Sequence, residues 1–237
     1  MSATTLHPTL SDARACVFDA GGTLVHPDWE RLAAIAEEQA GRRFGAEEMR
    51  RAFGEMLRGV GASQPGSPAI NQSGRHWTFR AMYGGLGLDE AACDGLVGRI
   101  DAAHAERHIW CGCDPDAPRV IDEIKRQGLL VAVISNTEDG RVRDALEAAG
   151  LAERFDVIID SHLVGVSKPD PAIFRHALEL LDVEPSEAVF VGDSYAHDAL
   201  AALAAGMRAV LLDPLDLHPE SVCPRIQRLG DLLLQEV

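Results

Sequence analysis

ACVFDAGG, residues 15–22, opens with four apolar residues, ends them on an aspartate and breaks into small residues straight after. A short run with no polar alternation is the pattern of a strand buried on both faces, because a strand with one wet face shows period two. Four later stretches repeat it: LLVAVISN (129–136), DVIID (156–160), AVFVGD (188–193) and RAVLLD (208–213). Amphipathic stretches with helix punctuation lie between most of them. RVRDALEAAG stops at Gly150, DPAIFRHALELL opens on Asp170 and Pro171, and AHDALAALAAG stops at Gly206. This alternation predicts an α/β fold, a Rossmann-like doubly wound parallel sheet with helices on both faces.

The alternation fails between His26 and Cys111. That stretch reads as consecutive helices at 28–40, 46–60, about 71–83 and 88–108, with no strand. The chain is thus expected to divide into a Rossmann-like core, residues 1–25 and 112–237, and an inserted α-helical domain, residues 26–111. Within the insert, GVGASQPGSPAINQSG (59–74) is rich in Gly, Ser and Pro and predicts a mobile loop.

Composition narrows the partners. At 237 residues and 25.5 kDa the chain can bury a core without disulfide or metal staples. Its net charge of −15 repels a phosphate backbone, which argues against nucleic acid. No apolar run approaches the roughly 18 residues of a membrane helix, and MSATTLHPTLSDARACVFDA lacks the basic-then-apolar profile of a signal peptide, so no membrane partner and a cytoplasmic location are expected. Five scattered cysteines, an odd count, fit a reducing compartment. Nothing in the sequence sets the oligomeric state.

In an open α/β sheet ligands bind beyond the carboxyl ends of the strands, so the residues ending each apolar run matter most. They are Asp19, Ser135 and Asp193, with Lys168 and Asp198 close behind. Singly, each is an ordinary cap or turn residue. Together, three carboxylates gathered at about 5 Å repel pairwise by roughly 3 kcal/mol at an effective dielectric near 20. One lysine cannot offset all three, whereas a divalent cation can, and Mg²⁺ prefers such hard oxygen ligands. Lys168 is one of only two lysines, with Lys125, which argues against mere surface charge.

VFDAGGTL (17–24), VISN (133–136), SKPDPAIF (167–174) and VFVGDSYAHD (189–198) together resemble the four ordered motifs of the haloacid dehalogenase superfamily, over essentially the whole chain. The insert resembles that superfamily's helical cap placed after the first strand. The resemblance implies Asp19 as nucleophile and Ser135 and Lys168 as binders of the transferred group's oxygens. It implies Mg²⁺ held by Asp19, the Gly21 carbonyl, Asp193 and Asp198. Gly22, Thr23 and Asn136 are the candidate substrate-binding residues of the core, and Arg75 and Arg80, flanking Trp77, those of the cap. The implied function is a Mg²⁺-dependent phosphatase acting on a small soluble phosphorylated metabolite through an aspartyl-phosphate intermediate.

The sequence departs from the superfamily's phosphatase pattern at one position. Where those enzymes carry a second Asp that protonates the leaving oxygen, this chain has Gly21. A general acid/base is typically worth about 10²- to 10⁴-fold in rate. His26 and His197 are candidate substitutes, and Gly21 is expected at a backbone angle that an Asp tolerates poorly. A low-turnover phosphate- and metal-binding regulatory module is the alternative from a different class. A 2-haloacid dehalogenase is less well supported because GDSYAHD is kept, a phosphonatase lacks its cap lysine, and a cation-pumping ATPase lacks its membrane spans. His104, His108, Cys111 and Cys113 fall within ten residues but match no strong zinc spacing, and predict a helix end and linker. Trp29 and Trp110 flank the cap at its two junctions and are expected to pack against the hinge.

Overall fold

In the computed structural model, which describes residues 4–61 and 75–235, the chain divides into two units: Met1–His26 with Cys111–Val237, and Pro27–Trp110. Ten strands occur among the described residues: β1 (Thr4–Leu6), β2 (Ala15–Phe18), β3 (Val25–Pro27), β4 (Trp110–Cys113), β5 (Leu130–Ser135), β6 (Val157–Asp160), β7 (Ala188–Gly192), β8 (Arg208–Leu212), β9 (Arg225–Ile226) and β10 (Leu233–Gln235). Among the described residues four helices belong to the insert: α1 (Trp29–Ala40), α2 (Ala46–Gly61), α3 (Arg75–Gly85) and α4 (Glu90–Glu106). The first unit carries α5 (Ala117–Arg126), α6 (Val142–Ala148), α7 (Ser161–Val164), α8 (Pro171–Leu181) and α9 (Ala201–Ala204).

Six strands build one sheet in the order β6-β5-β2-β7-β8-β9, every pair parallel. The chain places β5 and β6 to one side of β2 and β7 to β9 on the other, so the topological switch point lies at the carboxyl end of β2. Register aligns that edge. Phe18 pairs with both Val133 and Val191, which puts Asp19, Ser135 and Asp193 within two residues of one line. All four residues of β2 and all five of β7 are buried, the physical reason their apolar runs show no alternation. Phe174 on α8 meets Phe190 on β7 edge to face at 5.3 Å. The start of α8 follows its sequence signal, with Pro171 in the first turn and the Asp170 carboxylate accepting from the Ala172 amide at 2.8 Å.

Several short elements depart from the sequence reading. The pair β3–β4, at the two ends of the insert, was not expected. VHP and WCGC are too short and carry Pro and Gly, so propensity gives no strand signal. The antiparallel pair β1–β10 and the two-residue β9 are equally silent in sequence. AHDALAALAAG does not form one regular helix. Tyr195–Leu200 begins with a widened turn, in which the Ala199 amide donates to the Ser194 carbonyl five residues back at 3.2 Å, and only then does α9 follow. The Asp198 side chain in that turn accepts the Ser194 amide instead.

In the helical unit, Leu32, Met49, Phe79, Met82, Tyr83, Leu96 and Ile100 form a buried core. The buried Tyr83 hydroxyl donates to the Leu32 carbonyl at 3.0 Å. Trp29 and Trp110 both pack on Phe53, at 5.2 and 6.1 Å between ring centroids, partly buried against this unit's core. Helix α4 ends at Glu106 rather than 108, because Arg107 is extended and the His104 Nδ1 accepts the Ile109 amide at 3.2 Å. His108 Nδ1 accepts the Trp110 amide at 3.2 Å. The two imidazoles thus close a helix end. Residues 62–74, most of the expected 59–74 loop, lie outside the described residues, whereas 59–61 continue α2.

Candidate active site

Asp19 follows β2 directly and is fixed there by its own amide, which donates to the Val191 carbonyl at 2.9 Å. Its side chain is buried. Oδ1 accepts from the Lys168 ammonium at 2.6 Å, while Oδ2 is buried with no hydrogen-bond partner in the structure. Lys168 is equally buried. Its Nζ also donates to Asp198 Oδ1 at 2.6 Å and lies 5.2 Å from the centroid of the Phe190 ring. One ammonium therefore bridges two carboxylates that belong to different motifs.

Asp193 completes the cluster. One oxygen each of Asp19, Asp193 and Asp198 lies within 4.8 Å of the others. Two glycines make this packing possible. Gly22 has φ +92, and a Cβ there would come 2.9 Å from Asp193 Cγ and closer still to Oδ2. A Cβ on Gly192 would come 2.7 Å from Asp198 Cβ. Real Cβ atoms do not approach so closely, so any side chain at either position displaces a carboxylate.

The electrostatics follow from three acids, one base and burial. Desolvation pushes the Asp19 carboxyl up to about 6, against the pull of Lys168 and with the push of Asp198. Asp193, partly exposed, is raised well above the ordinary carboxylate range by desolvation and by the charges of Asp19 and Asp198. Desolvation would lower Lys168, but the two carboxylates touching it outweigh that, so it is held firmly protonated. A site with one cation too few takes up either a proton or a metal ion. An unpartnered buried carboxylate oxygen, three hard oxygen donors close together and a glycine that clears the space beside one of them fit Mg²⁺.

The other predicted residues are placed as follows. Ser135 ends β5, buried, beside Asp160 across the sheet register. Asn136 was expected to contact substrate, but both ends of its carboxamide serve Lys168. Nδ2 donates to the Lys168 carbonyl at 2.8 Å, and Oδ1 accepts the Lys168 amide at 2.9 Å. Gly22 was likewise expected to bind substrate. Its amide donates to the Val25 carbonyl at 2.8 Å, and its lack of a Cβ leaves room for Asp193. Thr23 is fully buried, with an Oγ1 that makes no hydrogen bond among the described residues. Gly21 pairs with Val25 in an isolated bridge. The strained angle expected at Gly21 falls on Gly22 instead, since only Gly22 of the two has a positive φ. Asp198, expected as a metal ligand, lies in the three-acid cluster, and its oxygens also accept from Lys168 at 2.6 Å and from the Ser194 amide at 2.9 Å. Arg80 is exposed and ion-paired with Asp94 inside the helical unit. Arg75 opens α3, and its side chain lies outside the described residues, as does that of Trp77. His197 Nδ1 contacts Ser194 Oγ at 3.2 Å, and burial lowers its pKa.

A supporting residue that the sequence reading passed over is Asp160. Its carboxylate accepts from the Thr137 hydroxyl, from the His162 amide at 3.0 Å and from the Val142 amide at 3.0 Å, tying down the loop after Ser135. Its signal was its place as the last residue of DVIID.

A profile of the haloacid dehalogenase-like hydrolases matches residues 13–206. The chain belongs to the haloacid dehalogenase-like hydrolases. It is 32% identical over 229 residues to a Mycobacterium tuberculosis protein named Phosphatase MT3486, covering 92% of this chain and 96% of that one. It is 41% identical over 120 residues to a Thermus thermophilus phosphoserine phosphatase, covering 50% of this chain. That match spans only 47% of the Thermus protein, and other curated relatives at 45–46% identity are also spanned over less than half their length. Among solved structures, a phosphatase of this family from Thermococcus onnurineus superposes with a TM-score of 0.58 at 25% identity, covering 92% of this chain and 95% of that one.

Proposed function

We propose that this hydrolase is a Mg²⁺-dependent phosphatase of small soluble phosphorylated metabolites, acting in the cytoplasm through an aspartyl-phosphate on Asp19. The observation that carries the reading is the buried Asp19 carboxylate, one oxygen held by Lys168 and the other without a partner, inside a cluster of three acids. The names of the mycobacterial and Thermus relatives support phosphate monoesters as the substrate class. No helix among the described residues is long and apolar enough to cross a membrane.

The chain's own groups divide the work. Asp19 attacks phosphorus in line with the leaving oxygen, and Lys168 and Ser135 hold oxygens of the transferring group. Asn136 and Asp198 fix Lys168 from its backbone and from its ammonium. Asp19 and Asp193 would hold Mg²⁺, with the Gly21 carbonyl as a third donor; bound there, the ion supplies charge neutralisation for the phosphoryl oxygens.

The test is phosphate release from a panel of small phosphate esters with Mg²⁺ and with EDTA. Wild type is expected to be active only with the ion, and Asp19→Asn to lose all but a few per cent of that rate while keeping its fold. Metal-independent or Asp19-independent hydrolysis would overturn the reading. A well-folded protein that binds Mg²⁺ and phosphate without turnover would make it a regulatory binding module.

A further inference from the structure

This inference rests on the phosphatase reading and concerns the proton that reading leaves without a carrier. A phosphate ester of a poor leaving group needs a proton on the departing oxygen, and Gly21 offers no side chain to supply it. The chain after Asp19 turns back sharply. The Leu24 and Val25 amides both donate to the Ala20 carbonyl, at 2.8 and 2.9 Å, and Gly21 is bridged to Val25. The residue after Val25 is His26. Bridged residues lie about 5 Å apart and neighbours 3.8 Å, so the His26 Cα lies within about 9 Å of position 21. His26 thus sits on β3, the short strand into which the loop after the nucleophile runs.

The His26 imidazole is oriented. His26 Nε2 lies 3.6 Å from Asp114 Oδ2, with the histidine side chain one third exposed and the aspartate's 17% exposed. Asp114 is itself fixed at two points. Its amide donates to the Leu24 carbonyl at 2.9 Å, and its Oδ1 accepts the Asp116 amide at 2.9 Å. The carboxylate that faces His26 is thus anchored to the loop carrying Gly21. With Nε2 turned to Asp114, Nδ1 makes no hydrogen bond among the described residues and is the nitrogen left to exchange a proton. His197 does not have this freedom, because its Nδ1 contacts Ser194 Oγ.

We infer that His26, positioned by Asp114, is the general acid and base that takes the place of a side chain at position 21. In the first step the Asp19 carboxylate forms an O–P bond and the bond from phosphorus to the ester oxygen breaks. The electron pair goes to that oxygen, which takes the Nδ1 proton of His26, leaving neutral imidazole. In the second step water attacks the phosphoaspartate and gives its proton to Nδ1. The bond between phosphorus and the Asp19 oxygen breaks, its electron pair returns to the carboxylate, and inorganic phosphate leaves. His26 ends protonated, as it began. Asp114 acts only through His26 and is a positioning residue.

The test separates proton donation from structure by varying the leaving group. Wild type, His26→Gln and Asp114→Asn are compared on acetyl phosphate, p-nitrophenyl phosphate and glycerol phosphate, with folding checked by circular dichroism. Because the alkyl ester alone needs protonation, His26→Gln is expected to lower kcat on glycerol phosphate by about 10²-fold or more. Formation of the phosphoenzyme from acetyl phosphate, read by acid quench, is expected to change less than threefold. Asp114→Asn should show a smaller loss of the same kind, with phosphoenzyme formation slowed on the alkyl ester alone and the effect on kcat rather than KM. A uniform loss in the rate of phosphoenzyme formation over all three substrates would mean a structural role and overturn the inference. So would no loss at all, or a wild type active on acetyl phosphate but on no alkyl ester. A wild type inactive on all three, with no phosphoenzyme, would overturn the phosphatase reading as well.

Discussion

Raising the pH on metal-free protein should weaken it, which is the reverse of what most carboxylates do. In the folded state Asp19 titrates at about 6, against 3.8 for an unperturbed aspartate, because burial and Asp198 outweigh the pull of Lys168. The folded protein therefore binds more protons than the unfolded chain between these values. Stability from this group is complete below about pH 4 and lost as pH rises through about 6. A shift of about two units corresponds to about 3 kcal/mol. Asp193, also raised, acts in the same direction. Ordinary surface carboxylates do the opposite at lower pH: Glu123, held at about 2 by Arg126 and Gln127, gives up its contribution only as pH falls through that value. The assay is urea unfolding in EDTA from pH 4 to 8, for wild type and Asp19→Asn, whose amide cannot titrate. The stability of wild type relative to the variant should fall by about 3 kcal/mol between pH 4 and 7. Mg²⁺ at a hundredfold excess over its Kd should then return about 2.7 kcal/mol to wild type, and much less to the variant. A wild-type-minus-variant difference that stays level across this range would refute the electrostatic account of the site.

Gly22→Ala should cost about 1 kcal/mol or more from its left-handed backbone alone, and should also abolish Mg²⁺ binding in a calorimetric titration, because its Cβ displaces Asp193. Asn136→Ala should leave Mg²⁺ affinity within twofold but lower kcat by about tenfold or more, since Lys168 loses both side-chain bonds to its backbone. Gly21→Asp, whose backbone is not in the left-handed region, should restore glycerol phosphate turnover to His26→Gln by about tenfold or more. Unchanged rates there would mean that position 21 does not face the leaving oxygen.

The parts of the fold that were legible in sequence are those where burial dictates composition. Strands β2, β5, β7 and β8 run through the middle of a parallel sheet, so CVF, VAVI, AVFV and AVLL carry their own signal. Strands β1, β3, β4, β9 and β10 owe their existence to a partner far along the chain, and two to four residues of ordinary composition cannot announce that. Asp19 and Asp193 were legible because each directly follows a buried strand, and Lys168 because the chain has only one other lysine. What they do to one another was not. Asn136 grips Lys168 across 32 residues, and the neighbour that forces Gly22 is Asp193, far along the chain. The backbone strain expected at Gly21 sits one residue on, because a tight loop selects its left-handed position by hydrogen bonding and sequence shows only that two glycines are adjacent.

One consequence joins the site's stability to its chemistry. A carboxylate attacks only when ionised, and the burial that would strengthen its interactions with a bound phosphoryl group also opposes that ionisation. Lys168 offsets part of the cost for Asp19, but the same ammonium is shared with Asp198, and Asp193 has no cation of its own among the described residues. The cluster is therefore short of positive charge by design of its sequence, with 37 acidic residues against 22 basic ones and only two lysines in the chain. A second buried lysine or arginine in that space would make the folded protein more stable and less dependent on a cation. It would also occupy Asp19 Oδ2, the oxygen now without a partner. The destabilised carboxylate and its unpartnered oxygen are thus one feature, offset by the apolar core of the strands rather than by the site itself.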